Sequence, residues 1–183
     1  MACPNSRIRY SHKIDGCKSK GGLVGIAVAT WTGGTGAISW IEDSNGYITG
    51  VTNSGTTTFY FQAQNPEKAF ANVKNDTSED RLAGGYAAEG AITYVNNDWA
   101  LRVKTSDQVN AQTLIITKDN MGNYRLFGTE YGCFFNSDEQ SGTKLNDLNQ
   151  VVMSWTSKSS YSPKFMTPAL AEGLFNYDTV LTA

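Results

Sequence analysis

The chain has 183 residues, a formal net charge of −2, 40% hydrophobic and 17% charged residues, with 18 glycines, 3 cysteines and one histidine. That length fits one domain, and that hydrophobicity excludes intrinsic disorder, which needs few apolar residues and high net charge. The few charges, against about 25% in an average domain, suit a surface partly covered by neighbours, because interface cores are poor in charge.

Charge is distributed unevenly. Residues 1–21 hold Arg7, Arg9, Lys13, Lys18 and Lys20 against Asp15, a balance of +4, which leaves −6 on the rest of the chain. This stretch reads as an extended basic arm, able to reach an acidic patch on another copy or a nucleic acid. No apolar run approaches the ~18 residues of a membrane span, and the segment after Met1 has no apolar leader core, so the expectation is a protein made in the cytoplasm, with no membrane partner. Cys3, Cys17 and Cys133 form no C-x-x-C and are expected as reduced thiols.

Along the chain, residues 22–30 form a dense apolar run, as in a buried strand. Thr32–Gly36 is a glycine loop. Residues 37–42 and 47–51 read as a hairpin about the turn Asp43-Ser44-Asn45-Gly46, in which the Asx side chains cap locally and Gly supplies a positive φ. Residues 57–63 alternate with period two, as a strand does. Pro66 to Asp80 is the most polar stretch and reads as a long loop or a short helix. A strand follows over residues 86–95. Asp98 is an N-cap candidate, and the spacing of Trp99, Val103 and Asn110 predicts a helix over residues 97–111. Strands are then expected at 113–117, 124–127, 131–135 and 151–156, with a short helix over 169–175. The turn at Asp119–Asn123 echoes the one at Asp43–Gly46, which we read as hairpins converging on the same turn chemistry. The fold class expected is mainly β with α+β character: a β-sandwich or barrel of about eight strands with one flanking helix, spanning residues 22–183.

The chemistry expected is none. His12, Asp15 and Cys17 are base, orienter and nucleophile types, but they crowd into the arm, whereas triads are built from residues far apart in sequence and rigidly held. One histidine and scattered cysteines offer no ordinary zinc spacing. Gly33-Gly34-Thr35-Gly36 lacks the Lys-Ser/Thr of a phosphate loop, and the Asx-Gly turns lack the ligand series of a calcium loop. Asp138-Glu139 and Glu79-Asp80 read as solvated loop charge. Trp31, Trp40, Trp99 and Trp155 read as core or subunit-contact anchors. Catalytic residues, cofactors and metals are therefore all expected to be none.

One stretch carries more. Ile115-Ile116-Thr117-Lys118-Asp119-Asn120-Met121-Gly122-Asn123-Tyr124-Arg125-Leu126-Phe127-Gly128, continued by Thr129-Glu130-Tyr131-Gly132, Ser141-Gly142-Thr143, Asp147-Leu148-Asn149-Gln150 and Ser162-Pro163-Lys164-Phe165, resembles a pattern of phage tail-tube-like virion proteins, as in phages of Bacteroides-type bacteria. Gln150 stands where that pattern has Gly; Tyr47-Ile48-Thr49-Gly50-Val51 also fits. The resemblance covers about half the chain and consists of turn chemistry and spacing. It implies a β-sandwich whose sheet lines a six- or twelvefold ring of a tail tube or head–tail connector, residing in the virion, contacting other virion proteins and conducting DNA without specific binding. Arg7, Arg9, Lys13, Lys18, Lys20 and Trp31 are the expected subunit contacts. The alternatives are a capsid decoration protein or a non-enzymatic β-sandwich binding module.

Overall fold

The computed structural model describes residues 22–30, 39–52, 58–62, 69–76, 85–95, 112–140 and 150–174. They form eleven strands and one helix: β1 (Leu23–Thr30), β2 (Ser39–Glu42), β3 (Ile48–Thr52), β4 (Thr58–Gln62), β5 (Phe70–Asp76), β6 (Gly85–Val95), β7 (Gln112–Asp119), β8 (Tyr124–Phe127), β9 (Cys133–Gln140), β10 (Gln150–Ser159), β11 (Lys164–Met166) and α1 (Pro168–Leu174). The mainly-β reading with a helix is what the molecule has. The helix expected over residues 97–111 lies outside the described residues, as does the 1–21 arm.

All strands belong to one open sheet, ordered β2-β3-β11-β8-β7-β9-β10-β6-β5, with β1 on the other edge of β7 and β4 beyond β1. Strand β7 organises it. Its last residues pair with β8 (Ile115↔Phe127 to Lys118↔Tyr124), and its first pair with β9 (Gln112↔Phe134, Thr113↔Cys133). The chain therefore descends one edge of β7, steps out over Gly128–Gly132, and returns to the same edge as β9. That step needs glycine at its start: Gly128 has φ +84°, and a Cβ there would lie 2.7 Å from both the Cys133 Sγ and the Thr113 carbonyl oxygen.

The step divides the sheet into two layers. Strands β9, β10, β6 and β5 form one, and β1, β7 and β8 the other. Between them lies the larger core, in which Ile26, Val28, Ile115 and Phe127 meet Ile92, Val151, Met153 and Trp155. The opposite face of β1, β7 and β8 offers Ala27, Leu114, Ile116, Tyr124 and Leu126, covered by Ile48, Met166 and Ala171 of β3, β11 and α1. Tyr124 Oη donates to Glu172 at 2.7 Å, and Lys118 reaches the same carboxylate at 3.5 Å.

Two expectations are corrected. Residues 70–76, inside the stretch expected as a loop or short helix, are strand β5, paired to β6 from Phe70↔Ala91 to Asp76↔Gly85. Ala71 and Val73 pack on the core while Asn72 and Lys74 face solvent, so half the strand is polar and its alternation is easily read as loop. Asp138 and Glu139, expected in a loop, lie on β9, which begins at Cys133 rather than Tyr131 and runs to Gln140. Strand β11 was not anticipated; three residues between prolines are too few to show a period.

Candidate functional site

The outer face of the β9-β10-β6-β5 layer has no covering element among the described residues. Pairing registers fix its rows. Lys74, Ala87 and Lys158 form the first; Asn72, Glu89, Thr156 and Phe134 the second; Phe70, Ala91, Ser154 and Asn136 the third; Thr93, Val152 and Asp138 the fourth. None of these side chains is buried. Phe134 is 70% exposed, unusual for a phenylalanine on a regular strand.

At one end of this face lies a groove of about 560 Å³, bounded by Lys74, Glu89, Tyr131, Phe134 and Lys158. Its aromatic rim is held rigidly. Glu130 accepts hydrogen bonds from the Ser160 amide (2.6 Å) and hydroxyl (2.9 Å), Thr129 Oγ1 donates to Tyr161 Oη at 2.9 Å, and the Gly132 amide closes on the Gly128 carbonyl at 2.8 Å. Three tethers thus present Tyr131 from a loop with little freedom left to lose on binding. Lys74 bonds Glu89 at 3.2 Å, with 70% and 47% of the two side chains exposed.

Among the described residues, both sides of this layer end in open edges. Among the described residues β5 pairs only with β6, and β9 pairs with β7 only through Cys133 and Phe134, so residues 135–140 present backbone groups without a strand partner there.

The Asx turns spend their carboxylates locally. Asp43 Oδ1 accepts from the Asn45 and Tyr47 amides, and Asp119 Oδ1 from those of Met121 and Asn123, all at 2.8–2.9 Å. The Tyr47 amide chiefly, then that of Asn45, holds the Asp43 carboxyl below its usual range. Gly46 and Gly122 take φ +78° and +79°, so the two hairpins share one turn geometry. Cys133 is buried, and burial pushes its thiol up to about 12, against weaker help from Ser157 and the Ile115 backbone. No three His, Cys, Asp or Glu among the described residues gather as metal ligands would.

Of the expected contact residues, Arg7, Arg9, Lys13, Lys18, Lys20 and Trp31 all lie outside the described residues, with His12, Cys3, Cys17 and Trp99. Trp155 is a core residue and Trp40 packs half-buried on the second cluster. The bare face and its groove were missed in the sequence; the available signal was the alternation of Ser154, Thr156 and Lys158 with buried Met153, Trp155 and Ser157. Comparison with known protein families, with curated proteins and with solved structures finds no match.

Proposed function

We propose that this chain is a bacteriophage virion structural subunit that closes into rings of a tail tube or head–tail connector and conducts DNA. One observation carries the reading: a four-stranded antiparallel layer that, among the described residues, has one bare face and an open edge on each side. The three pairings within the layer leave β9 and β5 running in opposite directions. A copy related by rotation therefore offers its β9 antiparallel to this β5, and repetition of that heterologous contact closes a ring. The second sheet layer and α1 back the other face, so the bulk of each subunit falls outside and the bare face inside. The described side chains of that face include Lys74 and Lys158 against Glu89 and Asp138, with no cationic excess among them, which suits passage of a polyanion.

The basic arm and Trp31 are further proposed contacts to a neighbouring copy. Mass by light scattering, with negative-stain images of the same sample, tests the assembly. Six or twelve copies in rings or tubes are expected. A monomer of 19.9 kDa at every salt and protein concentration would remove the ring reading. Deleting residues 2–21 is expected to weaken the assembly, and an unchanged oligomer would discard the arm. The rigid Tyr131–Phe134 rim favours a second reading, a non-enzymatic binding module, which a monomer binding glycan at the groove would support.

A further inference from the structure

We propose that the Asn45–Gly46 peptide is a site of spontaneous covalent modification in the folded chain, the deamidation of Asn45 to aspartate and isoaspartate. Asn-Gly occurs once among the 183 residues. The reaction needs the Gly46 backbone nitrogen to reach the Asn45 side-chain carbonyl carbon, and a glycine there puts no side chain in the way. Gly46 takes φ +78°, with nothing within 4 Å of where a Cβ would stand, and both residues are exposed. The inference is independent of the ring reading.

One bond restrains the nucleophile. The Gly46 amide donates to the Asp43 carbonyl at 3.0 Å and must leave it before it can attack. Its place in the sheet makes that release easy. Strand β2 is a terminal strand, four residues long, paired among the described residues only with β3, and its register breaks between Ile41 and Glu42. Short edge pairings open locally at low free energy. The matching turn at Asp119–Asn123 has the same bond, from the Gly122 amide to the Asp119 carbonyl at 3.1 Å, but it joins central β7 to β8 and is tied to the Gly22 carbonyl by the Asn120 amide at 3.3 Å. There Met121 precedes the glycine, so that turn lacks the reacting side chain.

The atoms balance with water as the only co-reactant. Water or hydroxide takes the Gly46 amide proton, and the nitrogen bonds to Asn45 Cγ. The Cγ–Nδ2 bond breaks and ammonia leaves, closing a succinimide ring. Water then opens the ring: cleavage at Cγ–N gives aspartate, and cleavage at the backbone carbonyl gives isoaspartate. Nothing is oxidised or reduced. Aspartate puts a second carboxylate two residues from Asp43. Isoaspartate adds a methylene to the backbone between Asp43 and Tyr47, where the Asp43 amide donates to the Tyr47 carbonyl and the Tyr47 amide to Asp43 Oδ1, each at 2.9 Å. Either product loosens the end of the hairpin.

The test is peptide mapping by mass spectrometry of the full-length chain aged at mildly alkaline pH, for the parent, Asn45→Gln and Met121→Asn, with parallel samples in urea. Both substituted positions are exposed, and equal thermal midpoints before ageing verify folding. The parent's Asn45 peptide is expected to gain about 1 Da and to split into two chromatographic forms, of which an isoaspartyl methyltransferase labels one. Asn45→Gln should lose that shift. Met121→Asn should convert several-fold more slowly than Asn45 in the folded chain, and at a similar rate in urea, because its turn is held on both sides. An Asn45 that stays intact in the folded chain while the urea sample converts would overturn the proposal. Equal folded-state rates at the two turns would overturn the role given to the edge strand.

Discussion

Strands β7 and β10 differ in how they are covered. Five consecutive residues of β7, Thr113 to Thr117, are buried, whereas β10 alternates from Val151 to Ser159 between buried and open positions. The cause is the number of layers around each. Strand β7 has the core on one face and α1, β3 and β11 on the other; among the described residues β10 has a core on one face only. A continuous apolar run thus marks a strand wrapped within the molecule, and a clean alternation marks one whose second face is left for solvent or a partner. That difference locates the uncovered face without any motif.

The largest test contrasts neighbours on opposite faces of β6. A Cβ on Gly90 would lie 2.1 Å from Trp155 Cζ2, because the indole lies on this glycine and meets Phe127 edge-on, with ring centroids 6.4 Å apart. Gly90→Val is expected to cost about 3 kcal/mol or more, enough to leave much of the chain unfolded in a urea titration. Ala91→Val, one residue away on the bare face, should stay within ~0.5 kcal/mol of the parent. If the two variants unfold alike, the bare face is covered.

The flank covered by α1 should respond next, and locally. Ala171 is fully buried, so Ala171→Asp places a carboxylate in an apolar site and should cost about 2 kcal/mol. Because the seven-residue helix can come away while the larger core stays packed, protease should cut near residues 168–174 before the global midpoint moves much. Acid should do the same more gently. The Tyr124 hydroxyl first, then Lys118, holds the Glu172 carboxyl below its ordinary 4.5. A depressed carboxylate stabilises above its unfolded pKa, and that contribution is lost as pH falls through the folded value. Proteolysis of the helix should therefore rise below pH ~4.5 in the parent, and Tyr124→Phe should flatten that rise.

Cys133 gives a smaller effect under ordinary conditions, and one of opposite sign in pH. Its thiol is held neutral from an ordinary 9.0 up to about 12. Its contribution is complete below 9.0 and is lost as pH rises from there toward 12. An aromatic disulfide reagent at neutral pH should leave Cys133 unmodified in the folded chain and modify it in urea; rapid modification without denaturant would contradict its burial.

Much of this arrangement was legible because local chemistry dictated it. Both Asx-Gly turns form where Asp43 and Asp119 can accept two amides each, and the apolar run at residues 22–30 is the doubly covered β1. Strand β5 was illegible because its edge position leaves one face polar and the other lined only by Ala71 and Val73, which weakens the period that betrays a strand. The polar half of β9 failed the same way: Asn136 and Asp138 read as loop because they face outward. The groove was illegible for another reason. Tyr131 and Phe134 belong to a loop and a strand, and only the Gly128–Gly132 step and the Glu130–Ser160 tether bring them onto one rim with Lys74 and Lys158. Long-range register made that site.

Phe134→Ser should change the fold least and the assembly most. The ring is 70% exposed, so its removal takes little apolar area out of the folded chain, and the unfolding midpoint should shift by no more than ~0.5 kcal/mol. On β9 it stands beside Thr113–Gln112 of β7 at one end of the open edge, where a neighbour's β5 would arrive. Loss of the ring there strips apolar contact from a strand-to-strand junction, and the distribution of ring and monomer measured by light scattering should move toward monomer. A drop of ~2 kcal/mol in the monomer's own stability would mean that Phe134 is already packed within the chain, and its ring would no longer be free to meet a neighbouring copy at the β9 edge.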